Sequence, residues 1–258
     1  REIFGGGDPG SVALLLFSMG TFVSAALISR TFGVLALGPS HRLKHSMVDS
    51  LRGVTGDLVS GVRTLHSHPD AARALMLVVV NRVSFGVMVS GSLLLLRNTF
   101  HQSINANAAL ADFVVLSGFA ATAALIAAIL TPWVTRKIGI PHWSALTVGQ
   151  ASIGMLVFAL AATGQNFSLL LLAGFSLGFA GQAVKVCSDT VIQKRIPDTS
   201  LGRVFALFDM SVNVALVGGI IAVALISPVS GVAPLLYLGV GVGLALASYW
   251  YWRTDRHR

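Results

Sequence analysis

The chain has 258 residues, of which 54% are hydrophobic and 11% charged, and its mean hydropathy is +0.78. Soluble domains carry about 25% charged residues, so the composition argues against an ordinary soluble domain and makes lipid the relevant solvent. In that setting the net charge of +8 reads as positive loops on one face of a membrane rather than as a nucleic-acid footprint, and a single cysteine, Cys187, excludes an internal disulfide framework.

Seven apolar stretches follow one another: 11–28, 74–96, 109–134, 143–162, 167–186, 204–226 and 233–252. At about 1.5 Å per helical residue, each approaches or exceeds the ~30 Å hydrocarbon core of a bilayer. The last is the clearest. It contains no charge, closes on Tyr249, Trp250, Tyr251 and Trp252, and is followed at once by Arg253, the pattern of an interfacial aromatic belt with a basic anchor. The predicted fold class is therefore an all-α polytopic membrane protein of about seven transmembrane helices.

The connections set a predicted orientation. Placing the connection 29–73 in the cytoplasm collects Arg30, Arg42, Lys44, Arg52, Arg63 and Arg73 there, and alternation adds Arg136, Lys137, Lys194, Arg195, Arg203, Arg253, Arg256 and Arg258. The other face receives Arg1 and Arg97. This asymmetry predicts an external N-terminus and a cytoplasmic C-terminus, with the protein multi-pass in the cell inner (plasma) membrane. An odd number of spans, an external start and no initiator Met lead to the expectation that the chain is the C-terminal part of something longer.

The first connection is more than a linker. Met47, Leu51, Val54, Leu58, Val62 and Leu65 recur at spacings of three and four and predict an amphipathic helix. Its apolar stripe suits either the membrane surface or the helix bundle. His68-Pro69 should end it before the next span. Small residues predict close helix contacts: Gly174 and Gly178, with Gly181 a turn on, then Gly218-Gly219, and Gly239, Gly241 and Gly243.

Polar groups inside spans are costly and therefore informative. Arg82, beside Asn81, is expected to face the bundle interior, as a substrate or coupling group or as half of a structural ion pair. Lys185 and Asp209 fall within about two turns of the cytoplasmic surface on consecutive spans, where they can meet; Asp189 and Arg203 lie nearer that surface and can pair likewise. This cluster is either a structural clamp or a gate. Gln150, Gln182, Ser211 and Asn213 are uncharged groups at intermediate depth, with Gln150, Gln182 and Asn213 the candidate cavity liners and interhelical hydrogen bonding the alternative. Asp112 is expected to pair with Arg97.

Catalytic signatures are missing. His41-x-x-x-His45 and His66-x-His68 have spacings a metal can use, but no Cys or Glu cluster supports them. There is no G-x-S-x-G, Walker loop or Cys pair. No enzyme activity, cofactor or metal is predicted.

Two segments resemble a known family. Gln193-Lys194-Arg195-Ile196-Pro197-Asp198, followed by Leu201-Gly202-Arg203-Val204-Phe205, is similar to the Q-x-x-V-P-D…R-G-R-V-F stretch joining the tenth and eleventh helices of major facilitator superfamily transporters, closest to their bacterial efflux branch of siderophore and macrolide exporters. Leu201 departs from the first arginine of that pattern. Gly61-Val62-Arg63-x-Leu65-x-x-His68-Pro69 resembles the amphipathic central loop leading to the seventh helix. Arg136-Lys137-Ile138-Gly139 is a degenerate echo of the G-x-L-x-D-R-x-G loop, with Arg136 at its acidic position.

The resemblance implies helices six to twelve of a twelve-helix transporter: residues 1–38 as the last helix of the N-terminal half, 39–72 as the cytoplasmic central loop, and 73–258 as the C-terminal six-helix domain. It implies a secondary active transporter, exporting a small molecule by proton-coupled alternating access. The implied partners are the bilayer, the substrate and the missing N-terminal half, with no nucleic acid. A non-transporting membrane scaffold or assembly partner is the alternative.

Overall fold

The computed structural model describes residues 9–31, 47–101 and 105–256. Contacts divide the chain into two units, Arg1–Arg52 and Gly53–Arg258. In the first, α1 (Pro9–Thr31) is an apolar helix of 23 residues coinciding with the first expected span, and α2 (Met47–Ser67) begins. The expected boundary at residue 38, and His41 and His45, lie outside the described residues.

The second unit holds the rest of α2 and six helices: α3 (Pro69–Leu94), prolonged by a π-helical segment Leu95–Phe100, α4 (Ala106–Ile138), α5 (Ile140–Gly164), α6 (Phe167–Arg195), α7 (Asp198–Ile226) and α8 (Pro234–Arg256). All six are long and apolar enough to cross a bilayer, and they match the last six expected spans. Their starts and stops follow local chemistry. Pro69 and Pro141 sit in the first turns of α3 and α5, where a missing N–H goes unnoticed. Asn105 and Asn166 cap α4 and α6, their Oδ1 atoms accepting from the amides of Ala108 and Leu169 at 3.4 and 3.2 Å. Gly139, with φ of 86°, is the single residue between α4 and α5, a backbone conformation that needs glycine.

In the bundle α6 packs on α3, α4 and α5, while α3 also packs on α7 and α5 on α8. The most buried spans are α3, α5 and α6, about half of whose membrane windows are enclosed; α4, α7 and α8 are about one-fifth enclosed. The core is built by Phe158 and Tyr237, whose rings meet edge to face at 4.5 Å, with Leu77, Met155, Leu177 and Phe208. Interhelical hydrogen bonds join it: Ser188 Oγ donates to the Ala74 carbonyl at 3.1 Å, Ser248 Oγ to that of Ala145 at 2.7 Å, and Trp143 Nε1 to Thr131 Oγ1 at 3.1 Å.

Glycine sets how closely helices cross. A Cβ on Gly86 would collide with the Leu216 carbonyl, and one on Gly219 with the Val83 carbonyl, so α3 and α7 meet backbone to backbone. Gly178 does the same for α6 against the Ala120 backbone of α4, while Gly174 receives the Leu116 side chain. By contrast Gly218, Gly239 and Gly243 face open space, which removes them from the expected contact sites.

The amphipathic helix forms and stops at His68, as its sequence predicts. Its C-terminal part docks on the bundle: Gly61 lies against the Arg203 backbone and Leu65 is buried, while Val62 is 53% exposed. Gly61 and Leu65 thus face the bundle while Val62 turns outward, a rotation from the expected stripe that brings Gly61 close to the backbone of α7. The side chains of Met47, Leu51 and Val54 lie outside the described ones.

Candidate functional site

One cavity of about 230 Å³ lies between α3, α4 and α6. Arg82, Phe85, Met88, Val89 and Ser92 line it from α3, at the three-and-four spacing of a single helical face. Leu116, Ser117, Ala120 and Ala124 line it from α4, and Leu177, Gly178, Gly181 and Gln182 from α6. The space exists because the α4 and α6 faces are built from alanines and glycines where larger side chains would fill it.

Arg82 is the one charged group on this wall. It is 13 residues from the start of α3, about 20 Å along the axis, and so nearer mid-span than the sequence implied, since α3 begins at Pro69 rather than near Ala74. Its guanidinium lies 5.9 Å from the Phe85 ring centroid, a weak cation–π contact. Its Nε is buried without a hydrogen-bond partner, and Arg82 has no ion pair among the described residues. An arginine at a helix centre costs about 3 kcal/mol or more to place in lipid, and nothing in the described bundle offsets that with a carboxylate.

Asn81 sits behind this wall. It is buried, its Oδ1 faces Gly181, and its Nδ2 has no partner. Gln182 lines this cavity. Gln150 does not: its Nε2 donates to Ser176 Oγ on α6, the interhelical alternative. Asn213 is exposed and donates from Nδ2 to the Asp209 carbonyl at 2.8 Å, outside the cavity between α3, α4 and α6, with Ser211 bonded to the Leu207 carbonyl one turn back.

The charge cluster differs from expectation. Lys185 pairs with Asp189, Nζ to Oδ2 at 2.7 Å, within α6, because residues four apart share a helix face. Asp209 is exposed, turned one residue away from Phe208, which is buried and lies 5.8 Å from the Lys185 ammonium. The expected Lys185–Asp209 pair is therefore replaced by Lys185–Asp189, and no ion pair joins Asp189 to Arg203, whose backbone lies against Gly61 of α2. Asp112 likewise takes His101, Oδ2 to Nε2 at 2.8 Å, instead of Arg97. The π-helical segment changes the rotation of the chain just before His101.

The sequence missed Phe85, Met88 and Phe113 as lining residues, since apolar side chains in an apolar span carry no signal of their own. Their spacing from Arg82 does: once Arg82 is placed, Phe85 and Val89 follow at three and seven residues. No group of three or more His, Cys, Asp or Glu residues is arranged to hold a metal among the described residues.

Curated relatives agree with this architecture. An uncharacterised MFS-type transporter of Mycobacterium bovis and another of Mycobacterium tuberculosis are each 30% identical to the chain over 239 residues, covering 92% of the chain and 52% of the relative. The chain spans about half the length of the curated relatives it matches. It matches no family model, and no solved structure matches it significantly. The chain is an all-α, multi-pass membrane protein homologous to MFS-type transporters, matching about half the length of one.

Proposed function

We propose that this chain is the C-terminal half of a secondary active transporter that exports a small molecule by proton-coupled alternating access, and that the cavity between α3, α4 and α6 forms one wall of its substrate pathway. The observation that carries the reading is Arg82: a mid-span guanidinium on a cavity wall, with a buried Nε and no carboxylate partner among the described residues. A cation left unpaired in lipid is a functional group by default, and its charge favours an anionic or zwitterionic portion of a substrate. Apart from Ser92, Ser117 and Gln182 the remaining wall is apolar and suits the uncharged part. No described carboxylate lines this cavity, so the proton-coupling acid is assigned to the other half of the transporter. The basic ends of the helices, Arg73, Arg136, Lys137, Lys194, Arg195 and Arg253 among them, support a cytoplasmic C-terminus in the inner membrane.

The test is transport by the full-length protein in energised vesicles, scored per folded molecule. Arg82→Ala should depress transport at least tenfold with folded abundance preserved, and Arg82→Lys should also fail where the contact is bidentate. Unchanged transport per folded molecule in Arg82→Ala would remove Arg82 from the pathway. No substrate-dependent flux, from a screen in which a known exporter performs, would favour a scaffold.

A further inference from the structure

At the opposite end of α3 from its π-helical segment, the ends of α3, α5, α6 and α8 surround a second cavity of about 270 Å³. Three cations line it: Arg73, Lys194 and Arg195. One carboxylate, Asp70, faces them. Arg73 is satisfied within the fold, donating to Asp70 Oδ1 at 2.7 Å, to the Pro69 carbonyl at 3.1 Å and to the Thr254 carbonyl at 3.3 Å. The Arg195 guanidinium approaches Asp70 Oδ2 at 3.3 Å, with its side chain 62% exposed. Lys194 makes no ion pair among the described residues. One carboxylate is thus shared by two guanidiniums, and the cavity is left with an excess of positive charge.

Two further features point the same way. Ile140 and Pro141 place the first turn of α5 on the cavity wall, and no side chain caps that helix, so its amide end offsets the carbonyl ends that α6 and α8 bring to the same recess. A neighbouring cavity of about 350 Å³ shares Ile140 and Lys194 and is lined by Arg136 and Thr135, which makes Lys194 the bridge between two basic recesses.

We propose that this recess binds a phosphate group, and that the phosphate is the headgroup of an anionic phospholipid in the adjoining leaflet. The chemistry required is a compact anion with several acceptor oxygens, which a lipid phosphodiester and free phosphate share. Position selects the lipid. The recess is lined by Tyr251, and Tyr249 and Trp250 on the same turn are exposed, an aromatic belt at the headgroup level. Basic pockets between helix ends at such a level take acidic headgroups. This inference is independent of the transport pathway, since it uses no residue of the Arg82 cavity.

The test compares the purified protein in nanodiscs of phosphatidylcholine with and without phosphatidylglycerol, reading retained lipid by native mass spectrometry, alongside melting in detergent with inorganic phosphate. The wild type should retain phosphatidylglycerol in preference to phosphatidylcholine. Lys194→Gln with Arg195→Gln should weaken that retention by about 25-fold, taking a factor of about five for each cation, while Arg73 still holds Asp70 and the fold. Lys137→Gln with Arg253→Gln, an equal loss of charge at the same end but outside the recess, should leave it within about twofold of wild type. Equal retention of the two lipids would overturn the site, as would equal losses in the two double variants. Stabilisation by inorganic phosphate that depends on Lys194 and Arg195, without preference for phosphatidylglycerol, would overturn the lipid as its source.

Discussion

The backbone-to-backbone crossing of α3 and α7 makes a sharp prediction from two adjacent glycines. A methyl at Gly219 would meet the Val83 carbonyl and the Val87 amide, whereas one at Gly218 would meet nothing within 4 Å. A carbonyl oxygen in a helix cannot rotate away, so Gly219→Ala must push the two helices apart along their shared face. Loosened contacts each forfeit a quarter to a half of ~0.1–0.2 kcal/mol, and overpacking of this kind typically costs about 1–3 kcal/mol. With no flexible side chain to yield, the upper half of that range applies. For a bundle of this size the corresponding fall in Tm is roughly 4–12 °C. Gly218→Ala, on the exposed face of the same turn, should change Tm by less than about 1 °C. The assay is a thermal melt in detergent, followed by Cys187 reactivity, because Cys187 is buried and free. Equal melts for the two variants would show that α3 and α7 do not cross at these glycines, and with that the packing around Arg82 would need rebuilding. Gly86→Ala, the reciprocal contact, should reproduce the Gly219 result.

Other expectations are smaller in scope. Lys185→Ala and Asp189→Ala should show a coupling of less than about 1 kcal/mol in a double-mutant cycle, because both side chains are roughly one-third exposed and solvent screens the pair; coupling of Lys185 to Asp209 instead would refute the α6 assignment. Tyr237→Phe should destabilise by about 1 kcal/mol in a melt, since the hydroxyl donates to the Gly231 carbonyl in the buried core and that acceptor would be left unpaired. Cysteines introduced at Asn107 and Ser230 should react with an impermeant thiol reagent from outside intact cells, and those at His142 and Ser200 should not; labelling of the latter pair would invert the orientation.

Depth along a helix was legible in the sequence and rotation about its axis was not. Apolar runs located all six spans of the bundle, and the rarity of arginine in such runs singled out Arg82, because both are questions of distance from an end. Which side chain meets which is a question of azimuth. Phe208 and Asp209 occupy the same depth but point in different directions, and the sequence offers nothing to choose between them. The same gap explains Asp112, whose partner depended on a π-helical segment that no local signal announced, and Val62, which gave way to Gly61 on the docking face of α2. Uniformly apolar spans are the cause: without a polar side to mark solvent, a membrane helix carries little record of its own orientation.

The turns at the two ends of the bundle are unequal, and this bears on where the sequence can change length. At the basic end, α2 passes to α3 through His68 alone, α4 to α5 through Gly139 alone, and α6 to α7 through Ile196 and Pro197. An inserted residue there would shift a whole helix in register. At the other end α5 passes to α6 through Gln165 and Asn166, but the connections 101–105 and 227–233 are longer, and Asn98 and Thr99 donate to the carbonyls of Val229 and Ser230. Insertions and deletions among relatives should therefore gather at that second end. The same logic makes the basic end the place to avoid for an epitope tag or a fluorescent reporter.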